Sequence, residues 1–188
     1  MARLAATATT ALLLLAACAS PPEAPPLNVA ELPAVRLSVQ SVEVESRAPV
    51  PADVNFIERR RSEQLAADAQ AYLRDRVQAV GGTEFARATV EEASLVERDR
   101  PDAGGLFSGQ PDREMVGVLA VKVAVVDGLG IESAFASSRV QISRGLPARA
   151  GVEAEDAFAR QLTNDLLAAT SRELERSVEQ NLGNYLVR

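Results

Sequence analysis

The chain has 188 residues, with 26 acidic against 20 basic side chains for a net charge of −6, no histidine and a single cysteine. That length holds one domain with a real core and hardly two, and so acidic a chain repels phosphate backbones, which argues against nucleic acid as a partner. Without histidine, Ser-His-Asp and Cys-His nucleophile pairs are excluded, and the usual His- and Cys-based zinc sites go with them.

The chain opens with a charge at Arg3, followed by an apolar stretch from Leu4 to Ala17. That length suits the h-region of a signal peptide, about 7–15 residues, and falls short of the roughly 20 a spanning helix needs. The stretch ends in Leu15-Ala16-Ala17-Cys18. This run resembles the lipobox of a bacterial lipoprotein. The resemblance implies that residues 1–17 are cut away as a signal peptide and that the Cys18 thiol carries a diacylglycerol, making a membrane the first partner. Ala19 follows, where an aspartate is associated with inner-membrane retention. The same resemblance therefore implies an outer-membrane anchor, with the domain facing the periplasm. Each buried acyl methylene contributes about 0.8 kcal/mol, and more than one chain makes anchoring stable.

Residues 18–33 carry Pro21, Pro22, Pro25, Pro26 and Pro33. Proline locks φ and extends the backbone, so the segment reads as a semi-rigid tether of about 3.1 Å per residue. A single folded domain is predicted over 34–188. Val35, Leu37 and Val39 alternate on one parity and Val42 and Val44 on the other, the pattern of one long strand with a β-bulge at Gln40-Ser41. After Pro49 and Pro51, a helix is predicted over 62–80, with a start as early as Asp53. Leu65, Ala69, Tyr72, Val77 and Val80 fall at helical spacing, and Gly81-Gly82 gives the stop. Within it, Arg59-Arg60-Arg61 reads as a solvated helix edge, with contact to anionic head groups or an acidic partner as the alternative.

A second bulged strand is predicted from Ala86 to Leu95, the slip falling at Glu91-Glu92. Asp99 to Arg113, rich in glycine and proline, reads as a loop. Met115 to Val126 is apolar on both parities and belongs at the sheet centre. Asp127-Gly128-Leu129-Gly130 turns the chain into a hairpin strand from Ile131 to Ile142. A long helix from Glu153 to Leu186 closes the sequence. Thirty residues of helix span about 45 Å, so it either crosses the sheet diagonally or projects onto a partner.

The order β-α-β-β-β-α predicts an α+β two-layer sandwich, a four-stranded and mostly antiparallel sheet with two helices on one face. With the lipobox, the proline tether and this order, the chain resembles small envelope lipoproteins that assist lipopolysaccharide assembly and the auxiliary lipoproteins of lipid-transporting ABC systems. The run Tyr72 to Gly82 is similar to that of uncharacterised alphaproteobacterial lipoproteins. The resemblance implies a non-catalytic adaptor or auxiliary subunit bound to an envelope protein complex. The alternative is a structural or peptidoglycan-associated tethering lipoprotein.

Two further features bear on function. No Ser-x-x-Lys precedes Lys122, the only lysine, and with no tryptophan and two tyrosines the chain offers few stacking platforms for sugars. Glu91-Glu92 reads as a strand kink, not a glycosidase carboxylate pair. No enzymatic activity, cofactor or metal is expected. Leu106-Phe107, an apolar pair among glycines in the 99–113 loop, is the candidate partner contact, with tucking onto the domain as the alternative.

Overall fold

The computed structural model describes residues 34–100, 113–146 and 151–187. The elements are β1 (Val35–Leu37), β2 (Ser41–Ser46), α1 (Phe56–Arg76), β3 (Val77–Ala79), β4 (Phe85–Asp99), β5 (Arg113–Val126), β6 (Glu132–Gly145) and α2 (Val152–Asn181), with a 3₁₀ turn at Gly183–Tyr185. The main sheet is mixed, in the order β2-β4-β5-β6, and both helices pack on one of its faces. This is the α+β sandwich that the element order predicts. The β4-β5 and β5-β6 pairs are antiparallel, whereas β2 and β4 run parallel, joined by α1 as the crossover a parallel pair requires.

The predicted long first strand is in fact two. The parity slip at Gln40-Ser41 marks a change of sheet instead of a bulge: β1 pairs with β3 in a separate two-stranded parallel sheet, and β2 joins the main one. Correspondingly, the first helix stops at Arg76, and Val77–Ala79 continue as strand β3. Gly82 (φ 152°) then lies against Ser38, where a Cβ would overlap the Ser38 carbonyl oxygen. The C-terminus closes the same seam. Ser38 N–H donates to the Tyr185 carbonyl (2.7 Å), Val187 N–H donates to that of Arg36 (2.9 Å), and Leu37 bridges Leu186.

The second bulge stands where the parity places it, between Val90 and Glu92. One extra residue, Glu91, keeps Ala86, Ala88, Val90, Ala93 and Leu95 all facing the helices. Strand β5 is buried on both sides. Met115, Leu119, Val121, Val123 and Val125 meet α1 and α2 in the core. On the outer side, Val116, Val118, Ala120, Ala124 and Val126 are buried without joining that core. Cross-strand pairs shield them: Glu92 and Arg139 flank Ala120 in register and join over it at 3.0 Å. Lys122 bonds Glu132 (2.8 Å) and lies 4.5 Å from the Phe135 ring centroid.

The second helix follows β6 in the opposite direction, fixed by Arg144–Asp165 (2.7 Å) near one end and by Ser137 N–H donating to Ser177 Oγ (3.1 Å) near the other. It ends at Asn181, short of the predicted Leu186, and lies along the sheet. The two helices meet where Tyr72 packs near Ser171, and burial there pushes the Tyr72 phenol above its ordinary value. The domain thus has two ends. The loop end carries both helix N-termini and the Asp99–Arg113 pair. The hairpin end carries the β5-β6 turn, β1, β3 and the C-terminal turn.

Candidate functional site

At the loop end, β4 outruns its neighbour: β2 stops at Ser46 opposite Val90, leaving the β4 amides beyond the bulge without a strand partner on that side. Side chains of α1 take the place of the missing strand. Leu95 N–H donates to Ser62 Oγ (3.0 Å), and Glu97 N–H donates to Glu58 Oε1 (2.7 Å). The other oxygen of Glu58 accepts from Asn55 N–H, and Asn55 Oδ1 accepts from Glu58 N–H, both at 3.0 Å. This capping box starts α1 and fixes it to the sheet with one carboxylate.

Arg61 is the hub of this end. Its guanidinium reaches Glu97 (3.0 Å) on β4 and Asp156 (2.9 Å) on α2, with Glu155 at 3.9 Å. Arg113, the first residue of β5, bonds the same Glu97 (2.8 Å) and Glu155 (3.2 Å). Two arginines and three carboxylates therefore tie α1, α2, β4 and β5 together around the base of the β4-β5 connection. The hydrogen bond from Arg61, reinforced by the charges of Arg60 and Arg160, holds the Asp156 carboxyl below its ordinary value. The triple-arginine run is thus not uniformly solvated. Arg59 and Arg60 are exposed, while Arg61 is 8% exposed and anchored. The signal lay in the helical phase, because Glu58, Arg61, Ser62, Leu65 and Ala69 occupy one buried stripe.

Beside the hub, a cleft of about 500 Å³ opens between the helices, walled by Arg60, Arg61, Gln64, Asp156 and Arg160 above Leu95. Its rim carries the charged groups of Arg60, Arg61, Asp156 and Arg160, of which Arg61 and Asp156 are paired with each other. Within one helical turn or so of Arg61 and Asp156, the first turns of the two helices expose Phe56 (77%), Ile57 and Val152 (68%). The start of α1, capped by Asn55, and the start of α2, which has no side-chain cap, hold these apolar side chains in water, with no described element to cover them.

The sequence-predicted site residues Leu15, Ala16, Ala17, Cys18, Leu106 and Phe107 lie outside the described residues. Of their surroundings, the structure fixes the two ends of the 100–112 connection, clamped by Arg113 with Glu97. Among the described residues, no group of three or more His, Cys, Asp or Glu side chains is placed to hold a metal ion. No described helix is long and apolar enough to cross a membrane.

No family model matches the chain, and no curated protein does. Among solved structures it is similar to a minor lipoprotein from Acinetobacter baumannii, at 14% identity, 81% of this chain, 98% of that one and a TM-score of 0.41. Rare lipoprotein B from Shewanella oneidensis is similar at 14% identity, 74% of this chain, 95% of that one and a TM-score of 0.39. An uncharacterized lipoprotein B from Nitrosomonas europaea is similar at 19% identity over 81% and 88% of the chains, with a TM-score of 0.39. What this chain does has to be argued from its own residues.

Proposed function

We propose that this chain is a non-catalytic outer-membrane lipoprotein. Diacylglycerol on Cys18 anchors it, the domain faces the periplasm, and it acts as an adaptor or auxiliary subunit of an envelope complex for lipid or lipopolysaccharide transport. One observation carries the adaptor reading: apolar side chains stand exposed on the first turns of both helices, at the end of the domain opposite β1, the first described strand. Monomeric surfaces rarely hold such groups together without a use, and binding energy concentrates in bulky anchors. Leu106-Phe107, in the connection that leaves from this same end, would extend the contact surface.

The test is affinity purification of the tagged chain from detergent-solubilised membranes, followed by mass spectrometry. The wild type should carry acyl chains on Cys18 and retain defined envelope proteins. Phe56→Ser with Ile57→Ser, and separately Leu106→Ser with Phe107→Ser, should lose those proteins while the melting temperature stays nearly constant. Equal recovery from all three chains, or a mature terminus elsewhere than Cys18, would overturn the reading. Recovery of peptidoglycan fragments in place of transport proteins would favour the tethering alternative.

A further inference from the structure

Apart from Val50, the large apolar side chains exposed among the described residues lie at the two ends, and the hairpin end has its own set: Leu129 (86%), Ile131 (61%), Phe135 (49%), Val80 and Val187. The first two belong to the β5-β6 turn, which is built to hold them out. Asp127 Oδ1 accepts from the amides of Leu129 (2.8 Å) and Ile131 (2.9 Å), Asp127 N–H donates to the Ile131 carbonyl, and Gly130 takes φ 81°. The apex is therefore a rigid, convex knuckle with Leu129 at its crest, not a slack loop that could fold its side chains inward. Leu129 and Ile131 stand at the apex, beyond the shallow cavity that Glu132, Ser133, Phe135 and Asn181 line beside the hairpin. Its acidic groups are engaged within the turn: Asp127 Oδ1 accepts from the two backbone amides, and Glu132 is paired with Lys122.

The chain arrives at this same end. Ser41, Phe85, Val126 and Glu132 stand side by side across the sheet, and β1 lies three residues upstream of Ser41. Glu84 joins the two features directly, accepting from Ser133 Oγ (3.1 Å) of the hairpin and from the Tyr185 hydroxyl (3.3 Å) beside β1. Between Cys18 and Val35, residues 19–34 would span about 50 Å at the roughly 3.1 Å per residue of a proline-rich extended linker. Attachment through a linker of that length converts docking into an intramolecular step at roughly millimolar effective concentration, so a small apolar contact is enough.

We propose that the Leu129–Ile131 knuckle seats in the interface of the phospholipid bilayer that holds the acylated Cys18, fixing the domain with its hairpin end down and its loop end away from the membrane. This rests on the lipid-anchor reading and adds to it an orientation and a second membrane contact. Leucine and isoleucine at an interface sink their apolar parts to the level of the acyl boundary, about 5–10 Å deep for comparable elements.

The chain has no tryptophan, so a single introduced one reports its own surroundings. The acylated full-length mature protein, as Leu129→Trp or as Phe56→Trp, is reconstituted into vesicles of phosphatidylethanolamine and phosphatidylglycerol with acyl chains brominated near their middle. Leu129→Trp should show a blue-shifted emission that the bromines quench, and Phe56→Trp should show neither. Absence of quenching in Leu129→Trp with acylated Cys18 confirmed by mass would overturn the knuckle contact and leave the anchor standing. Equal quenching of both would overturn the orientation. A mass without acyl chains would refute the anchor itself and this inference with it. As a second variant, Leu129→Asp with Ile131→Asp should leave the protein in the membrane fraction through Cys18 while freeing the domain to tumble, read as a loss of fluorescence anisotropy from a label at the loop end.

Discussion

Leu166 of α2 rests on Gly117 of β5: a Cβ built on Gly117 would overlap Leu166 Cδ1 and stand 3.1 Å from Leu95 Cδ1. The missing side chain is what lets α2 approach the sheet, since both leucines are fully buried. Gly117→Val should therefore destabilise the domain by about 1–3 kcal/mol through overpacking, despite the better strand propensity of valine. At this size that is a fall of about 2–4 °C in Tm per kcal/mol. Leu166→Ala alone should cost about 2–5 kcal/mol through the cavity it leaves. The double variant Gly117→Ala with Leu166→Ala should cost less than the sum of its single changes, because each relieves the other. Additive losses in thermal melts would show that the two residues do not share that space.

Arg61→Ala should cost about 1–3 kcal/mol. Breaking a fully buried ion pair costs about 3–5 kcal/mol, but here the carboxylates are partly exposed and Arg113 still holds Glu97 and Glu155. Arg60→Ala, one residue away and exposed, should stay within about 0.5 kcal/mol of the wild type. Urea denaturation of the two variants separates an anchored arginine from a solvated one, and equal midpoints would refute the hub.

The depressed Asp156 carboxyl predicts an acid-dependent component of stability. Because Arg61 lowers its value in the folded state below the ordinary 3.8, the unfolded chain takes up this proton first as pH falls. The contribution is thus fully present above that ordinary value and is lost as pH drops through the folded one. Asp156→Asn should lower Tm at neutral pH, and its curve and the wild-type curve should converge in increasingly acid buffers. A constant gap across that range would mean that Asp156 is not coupled to Arg61.

Val123→Asp should prevent folding. Val123 is fully buried between Ala88 of β4 and Ala136 of β6, and an unpaired carboxylate there costs several kcal/mol against a total of about 5–15. A cooperative melt near the wild-type temperature would place this strand elsewhere.

How far the sequence could be read depended on whether a feature was local. Apolar residues on both parities made β5 recognisable as the central strand, and the slip at Glu91-Glu92 marked a true bulge. The similar slip at Gln40-Ser41 misled, because a bulge and a change of sheet shift parity alike. Only the pairing of β1 with Val77–Ala79 tells them apart, and those residues continue the helical spacing of α1. The Arg61 hub was hidden for the same kind of reason. Its partners Glu97 and Asp156 are 36 and 95 residues away, so the arginine run looked like ordinary surface charge. Its membership of the Leu65–Ala69 stripe was the one local clue. The exposed ends could be foreseen only in part: Phe56, Val152 and Leu129 become conspicuous once the rest of the apolar residues have found cover.

The seam of β1, β3 and Leu186 also has a mechanical side. If the domain hangs from Cys18, any tension between membrane and partner enters at Val35 and meets a three-residue strand in a sheet of its own before it reaches the main one. Those few hydrogen bonds would part well ahead of the long ladders among β4, β5 and β6. The released segment would then lengthen the leash and relieve the pull, leaving the partner-facing end intact. The seam would act as a mechanical fuse.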